Sequence, residues 1–149
     1  KALIDGTAWD YAYVELGDPG IPHAVVPVKN LRDFDTAKLR ELGRRLRYYP
    51  EFPKGANVNF YEIIGADHIY ERTYERGVED FTYACGTGTG SVVTVLTLLG
   101  KVSGHQVRVD MTGGQLMVDV EREGNQVTNL YLTGPTNIVC KGEITDEAL

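Results

Sequence analysis

The chain has 149 residues, is 42% hydrophobic and 24% charged, and carries a formal net charge of −6. That size and balance fit one globular domain, residues 1–149, with a core of its own. The acidic balance, with no basic cluster beyond Arg44, Arg45 and Arg47, excludes a nucleic-acid surface, which needs a basic patch to meet phosphates.

Residues 10–16 alternate and carry tyrosines and valine, so they predict a strand. A turn over Gly17-Asp18-Pro19-Gly20 leads to a second strand at 23–28, where Pro27 marks an edge or a strand end. Asp35 and Thr36 can cap a helix running to about Arg47, with Leu39, Leu42 and Leu46 along one face. The arginines on that helix read as a solvated face. Prolines and a glycine in 48–55 break it. Strands at 57–64 and 68–76 flank a turn at Gly65-Ala66-Asp67 and make a hairpin.

No charged residue occurs over 81–100. The run is about long enough for a bilayer span, but its first half is glycine and threonine. It therefore predicts a glycine-rich turn and then a helix at 89–99, apolar all round and buried on every side, not a membrane crossing. Gly100 stops it. Strands at 106–111, 115–121 and 126–132 follow, punctuated by Gly113-Gly114 and Glu123-Gly124-Asn125, and 138–144 suggests one more. The pattern gives an α+β fold: a β-barrel-like sheet curled around a central hydrophobic helix.

The chemistry concentrates in Ala84-Cys85-Gly86-Thr87-Gly88-Thr89-Gly90. A thiol at a helix start faces free backbone N–H groups, which lower a cysteine pKa and bind carboxylates or phosphates. Glu75 and Arg76 end the preceding strand and could recognise a zwitterion, arginine for the carboxylate and glutamate for the ammonium. Asn57 and Asn59 share a strand face and are ligand donors or turn residues. His23 becomes interesting only beside Cys85; His68 and His105 read as exposed. No metal-ligand spacing and no nucleotide loop occur, so neither metal nor cofactor is expected. Two cysteines without secretory features suggest reduced thiols in a cytoplasm, so a Cys85–Cys140 disulfide is not expected.

Gly20-Ile21-Pro22-His23, Phe52-Pro53-Lys54-Gly55-Ala56-Asn57-Val58-Asn59-Phe60, Tyr74-Glu75-Arg76-Gly77, Ala84-Cys85-Gly86-Thr87-Gly88 and Leu132-Thr133-Gly134-Pro135 occur in an order that resembles diaminopimelate epimerase. The resemblance implies one lobe, the carboxyl-terminal one, of a two-lobed enzyme that works without pyridoxal phosphate. It implies a two-cysteine acid/base reaction interconverting LL- and meso-diaminopimelate, for lysine and cell-wall synthesis. Carried over, Cys85 is one acid/base thiol and His23 assists near it. Gly86 and Thr87 bind the substrate carboxylate through their backbone, Glu75 and Arg76 hold charged substrate groups, and Asn57 donates a hydrogen bond.

Two departures accompany the resemblance. Ile21 stands where the family usually has asparagine, which puts the exact substrate in doubt. The family's Cys-Gly-Asn-Gly context for the partner thiol does not occur, and Cys140 does not match it. The expected partner is therefore a missing amino-terminal lobe carrying the second cysteine. On this reading the isolated chain is inactive, and residues from about 135 are poorly anchored or cross toward that lobe. A homodimer stays open, with no nucleic-acid or membrane partner. The alternatives are a proline racemase-like isomerase of the same fold and a non-catalytic binding module.

Overall fold

The computed structural model describes residues 1–17 and 20–148. Its main sheet has the order β10-β9-β8-β6-β5-β4-β3, with β7 pairing β6. The strands are β3 (Ala12–Leu16), β4 (Ile21–Pro27), β5 (Asn57–Gly65), β6 (His68–Glu75), β7 (Asp80–Phe81), β8 (Val107–Met111), β9 (Gly114–Glu123) and β10 (Gln126–Thr133). The sheet is mixed, because β4 pairs β5 and β6 pairs β8 in parallel while the remaining ladders are antiparallel. A separate hairpin, β1 (Ala2–Ile4) with β2 (Thr7–Trp9), precedes it.

Helix α1 (Thr36–Arg47) matches its sequence signals: the Asp35 carboxylate accepts from the Lys38 backbone N–H at 2.8 Å, and Leu39, Leu42 and Leu46 are buried. Leu39 and Leu46 join Ala24, Val26, Val58, Phe60 and Tyr74 in a core on the outer face of the sheet. Helix α2 (Gly86–Leu98) lies on the other face, where Val92, Val93 and Leu96 pack with Val25, Tyr61, Ile69, Val107, Val109 and Val118. Period-2 alternation makes this division: Val25 faces one core while Ala24 and Val26 face the other.

The sheet curls far enough that both of its edge strands reach α2. A side-chain carbon at Gly90 would stand 2.8 Å from a methyl of Leu130 on β10 and 3.3 Å from one of Leu16 on β3. The expected curled sheet around a mostly apolar central helix is therefore observed. That helix has an exposed end, with Gly86 and Thr87 open at its start and Leu98 at its finish.

Several elements differ from expectation. Helix α2 begins at Gly86, so the glycines form its first turn, not a turn before it. Pro27 does stand at a strand end, as expected, although that strand lies inside the sheet between β3 and β5. The segment 138–144 is not a strand; it pairs with nothing, and Ile138, Val139 and Ile144 are exposed for want of a surface to pack on. The first hairpin was legible in Asp5-Gly6, a two-residue turn with φ of 48° and 76°. Half-buried His68 is not exposed: its Nε2 lies 2.8 Å from Asp110. Arg44 and Arg45 do form a surface cluster on Glu41, but Arg47 is mostly covered and reaches Glu79 at 3.2 Å. The expected turn at 17–20 lies partly outside the described residues. Among the described residues no helix is long and apolar enough to cross a membrane.

Candidate active site

The inner face of the sheet changes character along α2. Toward the carboxyl end of the helix, β4, β5 and β6 present Val25, Tyr61 and Ile69. Toward its amino end the same three strands present His23, Asn57, Asn59, Glu71 and Thr73, all buried. In the ladders, His23 pairs with Asn57 and Asn59 pairs with Thr73. Buried polar groups carry a cost unless bonded, so this polar end of the face must be wired together.

Cys85 is the N-cap of α2, with extended backbone (φ −138°, ψ 102°) and a half-buried side chain. Its Sγ lies 3.7 Å from Thr87 Oγ1, and His23 Nε2 lies 3.1 Å from that same oxygen. His23 Nδ1 faces Asn59 Nδ2 at 3.0 Å. Imidazole and thiol are thus connected through the Thr87 hydroxyl. Burial pulls His23 down to about 4, so the ring is neutral at neutral pH.

The thiol contradicts the expectation of a lowered pKa. Burial pushes Cys85 up, outweighing the Gly88 N–H and the Thr87 hydroxyl that stabilise its thiolate, and the nearby carboxylates of Glu75 and Glu71 push the same way. Cys85 therefore holds its proton at neutral pH. Cys85 and Cys140 are both free, and Cys140 is exposed in the tail.

Glu75 ends β6 half-buried, and Gly77, at φ 90°, turns the chain immediately after Arg76. Asn57 Oδ1 accepts the Arg76 backbone N–H at 2.7 Å, so this asparagine fixes the corner that carries both charged residues. The Arg76 guanidinium donates to the Lys54 carbonyl at 2.8 Å. Gly86 and Thr87 are exposed at the open end of α2, where first-turn N–H groups have no intrahelical partner.

The glycine spacing has a steric origin. Gly88 packs directly on Asn59 Oδ1, and a side-chain carbon there would stand 3.2 Å from Cys85 Sγ. The residues that sequence reasoning missed are Glu71, Thr73 and Thr89. Their signal was present: Glu71 and Thr73 continue the face of buried Ile69 at spacing two, so they had to be buried too.

The profile of the diaminopimelate epimerase family matches residues 17–139. The chain belongs to the diaminopimelate epimerase family. It is 37% identical over 141 residues to a diaminopimelate epimerase of Leptospira biflexa, covering 95% of this chain and 46% of the relative. It is 42% identical over 143 residues to one from Chlorobaculum tepidum, covering 95% of this chain and 52% of the relative. The chain thus spans about half the length of these curated relatives. Solved structures share the fold at low identity. A phenazine biosynthesis protein of the PhzF family from Enterococcus faecalis aligns with TM-score 0.61 at 16% identity, over 78% of this chain and 42% of its own. A hydroxyproline epimerase from Agrobacterium vitis aligns with TM-score 0.55 at 19% identity, over 84% and 44%.

Proposed function

We propose that this chain is the thiol-bearing carboxyl-terminal lobe of a cofactor-independent diaminopimelate epimerase, acting in the cytoplasm in lysine biosynthesis. The observation that carries the reading is Cys85 at the open start of α2, in a chain of the epimerase family. The substrate carboxylate binds the first-turn N–H groups at Gly86 and Thr87, which stabilise negative charge as it develops on the neighbouring α-carbon. Glu75 and Arg76 hold the substrate's charged groups, and Asn57 fixes the loop that carries them.

A thiolate from a second lobe removes the α-proton on one face. The Cys85 thiol gives its proton to the same carbon on the other face and is left as thiolate. The α-carbon thus exchanges one proton for another with inverted configuration, and no electrons are gained or lost. The raised thiol supports this role, since a donor must begin the reaction protonated. The unpaired apolar residues Ile138, Val139 and Ile144 support a tail that packs on the other lobe.

The test follows the α-proton of LL-diaminopimelate in deuterium oxide with the full two-lobed protein. Epimerisation with solvent exchange is expected, lost by at least a thousandfold in Cys85→Ser. The isolated chain is expected to be inactive. Unimpaired exchange in Cys85→Ser would overturn the reading, as would rapid epimerisation by the isolated chain. Exchange of proline but not of diaminopimelate would move the activity to the racemase branch.

A further inference from the structure

Glu71 has no part in that reaction, yet its side chain is buried in the polar end of the sheet face, and its Oε2 has only the equally unpaired Thr89 hydroxyl near it, outside good hydrogen-bond geometry, among the described residues. A narrow cleft with room for about one water (≈ 10 Å³) lies behind the thiol, lined by Glu71, Thr73, Thr82, Thr89 and Cys85 among others.

Hydrogen-bond arithmetic fixes the state of this carboxyl. The Thr73 hydroxyl lies 3.0 Å from Asn59 Oδ1 and 3.1 Å from Glu71 Oε1. It has one proton for two acceptors. The orientation of the Asn59 amide is set by its surroundings: Nδ2 faces the carbonyls of Ala24 at 3.4 Å and Asn57 at 3.5 Å, which only accept. Oδ1 must therefore receive the Thr73 proton, and Glu71 must carry a proton of its own to donate to Thr73.

The same logic runs outward. Asn59 Nδ2 donates to His23 Nδ1, so the ring proton sits on Nε2 and is donated to Thr87 Oγ1. The Thr87 proton is then free for Cys85 Sγ. Glu71, Thr73, Asn59, His23 and Thr87 thus each donate to the next group, all in one direction, and the last acceptor is the sulfur. An aligned chain of this kind polarises its members cooperatively. The amide prevents reversal, because turning it would set Oδ1 against two carbonyls.

We propose that Glu71 is a positioning residue for Cys85: its carboxylic acid proton holds this one-way chain toward the thiol, and its ionisation turns the chain back. An ionised Glu71 would capture the Thr73 proton, strip Asn59 Oδ1 of its donor and place a buried negative charge near the sulfur. Each change disfavours the thiolate. The charged groups around the network are Glu75 near the thiol and Arg76 on the His23 side. Arg72 directs its guanidinium over Phe81 at 4.2 Å, and Asp110 on β8 is engaged by Arg108 and His68. Burial favours the neutral carboxyl, with the Thr89 and Thr73 hydroxyls opposing only in part.

The proposal rests on Cys85 being the reacting group, but its test uses no substrate, so it can fail independently of the epimerase reading. Iodoacetamide alkylation of Cys85 is measured against pH in a Cys140→Ser background. Glu71→Gln keeps a donor toward Thr73 and cannot ionise. It should alkylate like the parent at about pH 6 and roughly fivefold faster at about pH 8. In a Thr73→Val background that gain should fall to a minor remainder, the part carried through space by the Glu71 charge, because the route through the hydroxyl is cut. Equal rates at both pH values would overturn the proposal, as would a gain already complete at the lower pH. A gain undiminished by Thr73→Val would show coupling through space alone and overturn the chain. If Thr73→Val does not fold, infrared spectroscopy still decides: a protonated-carboxyl band present at about pH 6 and lost in Glu71→Gln is expected, and its absence refutes the protonated acid.

Discussion

Replacing Gly88 by alanine tests whether the glycine spacing of α2 is a packing requirement. The added carbon would overlap Asn59 Oδ1 and stand 3.3 Å from Asn59 Cγ and 3.2 Å from Cys85 Sγ. Asn59 cannot yield cheaply, since it is fully buried and bonded to Thr73 on one side and His23 on the other. Helix propensity alone would favour alanine by about 1 kcal/mol. Overpacking costs about 1–3 kcal/mol, and displacing a buried amide from its partners adds about 1–3 kcal/mol more. The expected balance is a net loss of about 2–3 kcal/mol, or a fall in Tm of about 5–10 °C for a chain of this size. Gly90→Ala is the matched control. Its neighbours are the methyl ends of Leu130 and Leu16, which can move, so its cost should stay near zero. Urea and thermal unfolding of both variants measure the difference. A Gly88→Ala protein as stable as Gly90→Ala would refute the claim that Asn59 dictates this glycine.

Two further outcomes follow from the charged groups. Glu71 is raised from 4.5 to about 7, so its contribution to stability is present below 4.5 and lost as pH rises through about 7. His23 is lowered from 6.5 to about 4, so its contribution is present above 6.5 and lost as pH falls through about 4. Each change is worth at most about 3 kcal/mol. The two slopes oppose each other between about pH 4.5 and pH 6.5, so urea midpoints should be nearly flat there, and Glu71→Gln should uncover the His23 term as midpoints that rise from about pH 4 to pH 6.5; an unchanged profile would count against a buried neutral acid. At the surface, Asp35→Ala should cost about 1 kcal/mol by removing the α1 cap, measured by the same unfolding, with no change in Cys85 alkylation.

The sheet and both helices were legible because their signals are local. The capping aspartate and leucine stripe of α1 gave that helix at its observed bounds, and the uncharged run gave α2. Four features were not legible. The start of α2 was placed late because glycines suggest a turn, whereas here they admit Asn59 and the edge strands. The strand expected at 138–144 has β propensity but no partner among the described residues, and propensity cannot supply one. At the site, Cys85, His23, Asn57, Glu75, Arg76, Gly86 and Thr87 all lie at or near the α2 start. The direction of the thiol shift was misread, because the sequence displays the helix N-terminus but not the burial that outweighs it. The burial of Glu71 is not local in origin: β6 has no face fully in water, because the curled sheet closes one side around α2 and α1 covers the other.

The shared approach of β3 and β10 to Gly90 has a consequence for how the molecule assembles. β5 and β6 join through a short turn, whereas about 110 residues separate Leu16 from Gln126. The local hairpin can form early, but β3 and β10 reach the same helix residue only after that long loop closes. Leu132 of β10 also reaches Gly86, next to Cys85. During synthesis, the surroundings of Gly86 therefore stay incomplete until β10 has left the ribosome, so the start of α2 is enclosed later than the hairpin it packs on.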